Sequence, residues 1–486
     1  MYTSRPLHLP WLRPTRQLRK RTKITRASRF SIPVAASGDS RPSATLVGSG
    51  TPPSQYGRSC LRADAAHTKI DSVMRRLPRY IQLCIFWLLT GCPPLSGTGW
   101  ACGLEDWPGW RGSERTGISH ETGWSWKWGS NAPPVLWRAA VGIGFSSFAA
   151  VGGRVYTLGN DGQSDTVFCF EADTGNPLWR HRYPCNPQPL SYEGGPSSTP
   201  LVDGGRIFTF SKGGDLVCLN ATNGQILWSK KFAPWPQLPG DWQNRWGYAG
   251  SAVRVAERLF LSVGQAGIAL NPSDGRVLWE SPAGHPGYSS PVPFRSGDKE
   301  AIAFFSGHAL AAVEASSGRV LWRVPWNTLW DLNAVDPIIY EGRMFVSSGN
   351  GVGCALYDIS AAEPRELSRN KHIKNTINSS VLWNGLVYGF NDTDLACVSW
   401  ETGEEKWTTR EVRKGSLIVA DGMLIVLSET GRLVVVKPSD RAYEPLTEAQ
   451  VLGGRCWTTP VLSRGRLYVR NAVGDVVCLD LRSASR

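Results

Sequence analysis

Ala172-Asp173-Thr174-Gly175-Asn176-Pro177-Leu178-Trp179 is one of five segments that end in Gly-x-x-x-Trp. The others run from Thr222-Asn223-Gly224 to Trp228, Ser273-Asp274-Gly275 to Trp279, Ser316-Ser317-Gly318 to Trp322 and Glu401-Thr402-Gly403 to Trp407. Successive Trp residues lie 49, 51, 43 and 85 positions apart, so the last gap holds two units, one of them degenerate. A period in the forties with β-patterned segments throughout predicts the blades of a propeller. Each unit opens with a strand of apolar and hydroxyl residues, as in Ser198-Thr199-Pro200-Leu201-Val202. A Gly turn then leads to a second strand such as Arg206–Phe210, a third such as Asp215–Leu219, and a fourth carrying the Trp. Third strands recur near Phe168, Leu216, Ile268, Ala311, Leu356, Ala396, Val434 and Val477, which predicts eight blades.

The ends of the repeat array predict a closed ring. The last unit stops at Asp480-Leu481 without a fourth strand, and Pro134-Val135-Leu136-Trp137 is an orphan fourth strand near the start. Pairing them removes an open sheet edge. The expectation is an all-β, eight-bladed propeller of four-stranded antiparallel blades over residues 131–486, preceded by an extension at 102–130. Each turn Gly is expected to supply a positive φ. Trp137, Trp179, Trp228, Trp279, Trp322 and Trp407 are expected to pack between neighbouring blades. The Trp count, 22 in 486 residues, is therefore mainly architecture.

Charge separates the leader from the body. Residues 1–80 carry 16 Lys and Arg against three Asp and Glu, and the other 406 residues carry 37 of each sign. A neutral body has no general electrostatic attraction to phosphate backbones, so nucleic acid is excluded as a partner class. Residues 1–73 are rich in Arg, Ser, Thr and Pro and bury too little to offset ordering entropy. Met74, followed by Arg75, Arg76 and Arg79 and the apolar run Ile81–Leu89, reads as the start of a signal peptide over 74–101, with 1–73 not translated. An organellar transit peptide is the alternative for the Arg-rich leader. Leu89-Thr90-Gly91-Cys92 has the form of a lipoprotein box, which makes Cys92 a lipidation candidate; cleavage after Gly99-Trp100-Ala101 is the alternative. Both place the mature chain outside the cytoplasm, in the periplasm or cell envelope.

Cys169, Cys218, Cys397 and Cys478 occupy one equivalent position in separate repeats, beyond the roughly 7 Å Cα separation that a disulfide spans. They are expected to be small buried hydrophobes. No Cys-x-x-Cys and no Cys-x-x-Cys-His occurs, so the common zinc, thioredoxin and c-type haem patterns are missing. His-Glu-x-x-His, Gly-x-Ser-x-Gly and phosphate-loop motifs are missing as well. His285 and His308 fall in different blades and are expected to be packed or solvent-facing rather than metal ligands. Asn160-Asp161-Gly162 is a turn rather than a calcium loop.

The repeats resemble the quinoprotein (PQQ-like) propeller family, whose blades end in an Ala-x-Asp-x-x-Thr-Gly-x-x-x-Trp type motif. Ala172-Asp173-Thr174-Gly175 to Trp179 is the closest copy. Asp106-Trp107-Pro108-Gly109-Trp110-Arg111-Gly112, Ser191-Tyr192-Glu193-Gly194-Gly195-Pro196-Ser197 and Asn333-Ala334-Val335-Asp336-Pro337-Ile338 extend the likeness to a secreted bacterial group. Its members are labelled polyvinyl-alcohol-dehydrogenase-like, or likened to the propeller lipoprotein of the outer-membrane β-barrel assembly machinery.

In such a fold, ligands and partners meet the face where each fourth strand crosses to the next innermost strand. Here those connections hold Glu193; Asp241, Asn244, Arg245 and Trp246; Tyr288; Trp330, Asp331, Asn333 and Asp336; Lys374, Asn375 and Asn378; Lys414; and Arg455 and Trp457. A bound PQQ would need Arg245 or Arg455 for its carboxylates and Trp246, Trp330 or Trp457 under its ring. Its calcium would need oxygens from Glu193, Asp331, Asp336 or Asn378, and Asp331 or Asp336 would be the base. Family dehydrogenases carry adjacent cysteines or a haem segment, and this chain has neither. The leading expectation is an exported, monomeric, non-catalytic binding module without a cofactor, docking a protein or cell-envelope ligand on its loop face. A membrane would be met only through a lipid anchor. A PQQ- and calcium-dependent alcohol dehydrogenase and a carbohydrate-binding propeller are the alternatives.

Overall fold

The computed structural model describes residues 105–128, 132–190, 192–233 and 246–483. Met74, Cys92, Asp241, Asn244 and Arg245 lie outside the described residues. The rest is all-β apart from one short 3-10 turn at Leu329–Asp331.

Eight sheets follow one another along the chain. Blade 1 is Ala149–Val151, Arg154–Asn160, Ser164–Glu171 and Pro177–Pro184. Blades 2, 3 and 4 span 201–231, 253–280 and 292–325, and blades 5, 6 and 7 span 338–370, 381–413 and 415–450. Blade 8 consists of Val461–Ser463, Arg466–Arg470 and Asp475–Asp480, completed by Val135–Ala140 from the start of the array. That strand pairs antiparallel with the last one, Trp137 opposite Cys478. The predicted closure is therefore present. Blade 7 departs from the four-stranded pattern, because Ile118–Ser119 pairs parallel with Val419–Ala420 on its inner edge.

Burial follows strand position. The innermost strand of blade 7, Gly415–Ala420, is buried at every residue, while the outermost strand of blade 1 alternates exposed and half-buried. The core consists of seven clusters of buried side chains, most of them spanning neighbouring sheets.

The repeat residues explain the contact between blades. Trp137, Trp179, Trp228 and Trp279 lie against Gly175, Gly224, Gly275 and Gly318 of the following blade. A Cβ on Gly175 would sit 2.5 Å from the Trp137 ring, and its φ of 71° is left-handed, so both sterics and backbone require glycine. Opposite each repeat Trp on the neighbouring strand stands a small residue: Cys169, Cys218, Ala269, Ala312, Cys397 or Cys478. Blades 5 and 7 carry Ser368 and Thr447 at the Trp position, and there the opposing residues are larger, Leu356 and Val435. The cysteines are volume fillers beside indoles, and all seven described ones are buried and unbridged.

Five of the six indoles also donate a hydrogen bond to the next blade, as from Trp137 Nε1 to the Ala172 carbonyl at 2.9 Å. Trp322 Nε1, which faces the Ser360-Ala361-Ala362 turn of blade 5, is buried without a partner. Trp137→Phe should therefore cost about 1 kcal/mol more than Trp322→Phe, since only the first leaves a carbonyl without its donor. Urea unfolding of the two variants measures the difference; equal losses would remove the bond from the account.

Candidate functional site

The innermost strands turn their free edges to the axial channel, and residues 105–125 bond to those edges. Trp107 exchanges two 2.7 Å backbone bonds with Ala150 of blade 1, and Val202 of blade 2 donates to the Pro108 carbonyl. Arg115 reaches the Arg254 carbonyl of blade 3 at 2.7 Å, and Gly117 accepts from Val419 of blade 7. Glu121 accepts from the Arg464 and Gly465 amides of blade 8, and Asp106 pairs with Arg464 at 3.0 Å. The Asp-Trp-Pro-x-x-Arg-Gly segment is thus the tip of a plug that fills the channel from the side opposite the loop face.

Where the plug ends, a belt of short polar side chains begins. At the head of the innermost strand in blades 1 to 5 a backbone N–H donates to the side chain one blade further on. Ser147 donates to Thr199 at 3.2 Å, Thr199 to Ser251 at 2.9 Å, Ser251 to Ser290 at 3.0 Å, Ser290 to Asp336 at 2.9 Å and Asp336 to Ser379 at 2.9 Å. Asn378 continues to the Gly415 carbonyl, the Ser416 hydroxyl to Thr458, and the Ser147 hydroxyl back to Thr459. The hydroxyl residues that open each repeat unit satisfy backbone groups that would otherwise be buried unpaired.

Above the belt lies a bowl of about 220 Å³ with walls from all eight crossover connections. Trp110 is part of its lining, and its Nε1 donates to Asp336 at 2.6 Å. Phe145, Tyr192, Trp246, Tyr288 and Trp457 supply aromatic surface. Phe145 stacks on Trp457 at 5.6 Å, and Lys414 and Arg455 lie over the Trp457 ring at 4.4 and 4.5 Å. Burial lowers the Lys414 pKa, opposed by Glu429 and reinforced by Arg455. Below Tyr192, Lys212 donates to its hydroxyl at 2.9 Å, and burial brings that ammonium down to about 8.

The structure gives the described candidate residues partners. Glu193 accepts from Arg455 at 2.7 Å, so an oxygen considered for calcium and a guanidinium considered for a quinone carboxylate neutralise each other. Trp457 Nε1 donates to Glu429 at 3.2 Å. Trp246 meets Tyr288 and Trp330 edge to face, and Trp330 is exposed with a positive φ of 61°. Asn333 is buried and donates to the Ser306 and Gly307 carbonyls. Lys374 pairs with Asp392 at 3.1 Å, and Asn375 binds the Asn378 carbonyl. Asn378 spends its amide on Gly415. Asp336 is the blade 5 member of the belt, the counterpart of Ser290, with its second oxygen on Trp110. Burial raises its carboxyl pKa, and the charges and donors of Arg111, Ser290 and Trp110 oppose that rise.

Asp331 faces two imidazoles, with His285 Nδ1 at 2.8 Å and His308 Nδ1 at 3.3 Å. The two histidines, read from the sequence as packed or solvent-facing residues of different blades, meet with ring centroids 4.9 Å apart. His285 belongs to the crossover into blade 4 and His308 to the turn after its second strand, and both lie on the loop face. A quinone with calcium held by Arg455, Glu193 and Asp331 would have to open the Glu193–Arg455 pair and withdraw Asp331 from both imidazoles. As arranged, these described residues do not fit that group.

A family model described as Outer membrane protein assembly factor BamB matches residues 131–231 and 163–409. The chain is 23% identical over 376 residues to Outer membrane protein assembly factor BamB of Yersinia pestis, spanning 71% of this chain and 88% of that one. It is 29% identical over 138 residues to quinoprotein alcohol dehydrogenase PedH of Pseudomonas putida, which covers 26% of this chain and 22% of that one. Among solved structures, BamB from Moraxella catarrhalis aligns with a TM-score of 0.53 and 14% identity over 73% of this chain and 100% of that chain. A europium-containing methanol dehydrogenase aligns with a TM-score of 0.58 and 12% identity over 77% and 91%. The structural likenesses establish the propeller fold, and the family model spans more than half of the sequence. The chain belongs to the PQQ-like propeller family described as Outer membrane protein assembly factor BamB.

Proposed function

We propose that this chain is an exported, non-catalytic propeller that holds protein partners of the cell envelope on its loop face. The observation that carries this reading is the aromatic bowl, beside which Glu193 and Arg455 neutralise each other. Aromatic side chains held in a shallow, apolar concavity suit the anchoring residue of a protein partner. Relatives named outer membrane protein assembly factors support an envelope partner. Residues 74–101 supply an export signal, and lipidation at Cys92 would tether the mature chain to a membrane. Among the described residues no helix is long and apolar enough to cross a membrane.

Photocrosslinking in cells tests the reading. A benzophenone amino acid at Leu190, exposed on the loop face, should form adducts with an envelope protein, and one at Asn223 on the opposite face should not. Trp457→Ala should reduce the Leu190 adducts at least about tenfold, as loss of a central aromatic anchor does. Equal adducts from both faces would overturn the proposal. So would saturable binding of PQQ and Ca²⁺ to the purified chain with dye reduction by alcohols.

A further inference from the structure

We propose that His285, His308 and Asp331 form a binding site for a divalent transition-metal ion of the zinc class at the rim of the loop face. Three separate segments deliver these side chains. His285 comes from the crossover between blades 3 and 4, His308 from a turn within blade 4, and Asp331 from the 3-10 turn between blades 4 and 5. One ligand atom from each residue lies within 4.8 Å of the other two. His285 Nδ1 lies 2.8 Å from Asp331 Oδ2 and His308 Nδ1 lies 3.3 Å from Oδ1, so the carboxylate sits between the two imidazoles. With zinc bonds of about 2.0–2.1 Å, donor atoms stand about 3.3 Å apart in a tetrahedron, so the three side chains are already on the scale of a zinc shell and side-chain rotation would close them on an ion.

The backbone is shaped for this meeting. Gly307 sits between the side chains, and a Cβ there would lie 2.7 Å from His285 Cβ and 2.9 Å from Asp331 Cβ. Any other residue at 307 would push the donors apart. Asp331 is only 2% exposed, whereas His308 stands in solvent, which leaves the ion a route in and an open coordination position. Two neutral imidazoles and one carboxylate leave a divalent ion with net positive charge. The open position therefore favours a carboxylate or carbonyl oxygen from a partner.

Donor type sets the class of metal. Calcium takes oxygen ligands, whereas two imidazole nitrogens with one carboxylate suit zinc, cobalt, nickel or copper. This site is also separate from the Glu193–Arg455 pair considered for the quinone. A bare ion pair between Asp331 and its histidines is the competing account, and it predicts no stoichiometric metal uptake.

Calorimetric titration of the tag-free chain with Zn²⁺, with Co²⁺ absorption as a second readout, tests the site. One equivalent should bind, with cobalt bands typical of four- or five-fold coordination. His308→Ala, a change at an exposed side chain, should weaken binding about 100-fold while the melting curve stays unchanged. His285→Gln should do the same. His120→Ala should leave the affinity as it was, because His120 pairs only with exposed Glu114. Equimolar Ca²⁺ should not compete. Absence of stoichiometric binding, unchanged affinity in the His308 or His285 variant, or effective competition by calcium would each overturn the proposal.

Discussion

Deleting residues 132–140 is expected to destabilise the whole propeller by on the order of 5 kcal/mol and to drive the chain into higher oligomers. The strand contributes five register partners to Asp475–Leu479, at about 0.5–1 kcal/mol for each ladder hydrogen bond. It also buries Trp137 against Phe170 and Tyr468, with a further 2–3 kcal/mol expected from the apolar area. Its loss bares the edge of Asp475–Asp480, whose unpaired amides and carbonyls would recruit a second chain. Arg470 does not replace the strand. That fully buried guanidinium donates to the carbonyls of Gly142, Ser146 and Leu158, tying blade 8 to blade 1, but it needs the 135–146 segment in place to do so. Urea unfolding and size-exclusion chromatography measure both effects. An unchanged unfolding midpoint with monomeric elution would mean that the ring is held by something other than its closing strand.

Periodic features were legible in the sequence because local hydrogen bonding repeats them. The Trp and the Cys or Ala opposite it recur in six of the eight blades and the turn Gly in five, and the orphan segment at Trp137 carried the same signature. Blades 5 and 7 were harder, since Ser368 and Thr447 replace the Trp while the volume moves to Leu356 and Val435 across the strand pair. The loop face was named residue by residue, yet the roles of those residues depended on neighbours far away in sequence. Glu193 meets Arg455 across the ring closure, 262 residues apart. Asp336 reads as a base when taken alone and as a belt residue once Ser290 and Ser379 stand beside it. His285, His308 and Asp331 match no linear motif, because the crossovers of blades 3 and 4 bring them together. The Ser and Thr residues opening each unit were the available clue to the belt, visible as a repeated hydroxyl without a stated acceptor.

Replacing Arg111 by Leu is expected to cost about 3–5 kcal/mol, the range for breaking a buried charge pair from one side. Arg111 is 6% exposed and sits at a φ of 63°, held by its own bonds. It donates to the carbonyls of Thr116 and Ser380 at 2.7 and 2.8 Å and to that of Arg115 at 3.2 Å. Its charge also opposes the rise that burial imposes on the Asp336 carboxyl. Leucine would leave those carbonyls without donors and Asp336 without its cation. The sign of the pH effect follows. Asp336 already has a folded pKa above the unfolded value of about 3.9, so its ionisation subtracts stability as pH rises through that window. Without Arg111 the folded pKa rises further, so the deficit of the variant should be smaller at pH 4 than at pH 8. Trp110, which bonds the same carboxylate, would loosen with it and open the bowl at its floor. Unfolding at both pH values, with limited proteolysis of residues 105–121 as a local readout, checks the chain of cause. Equal deficits at the two pH values would show that Arg111 and Asp336 are not coupled, and the plug would then owe its place to its other bonds to the innermost strands.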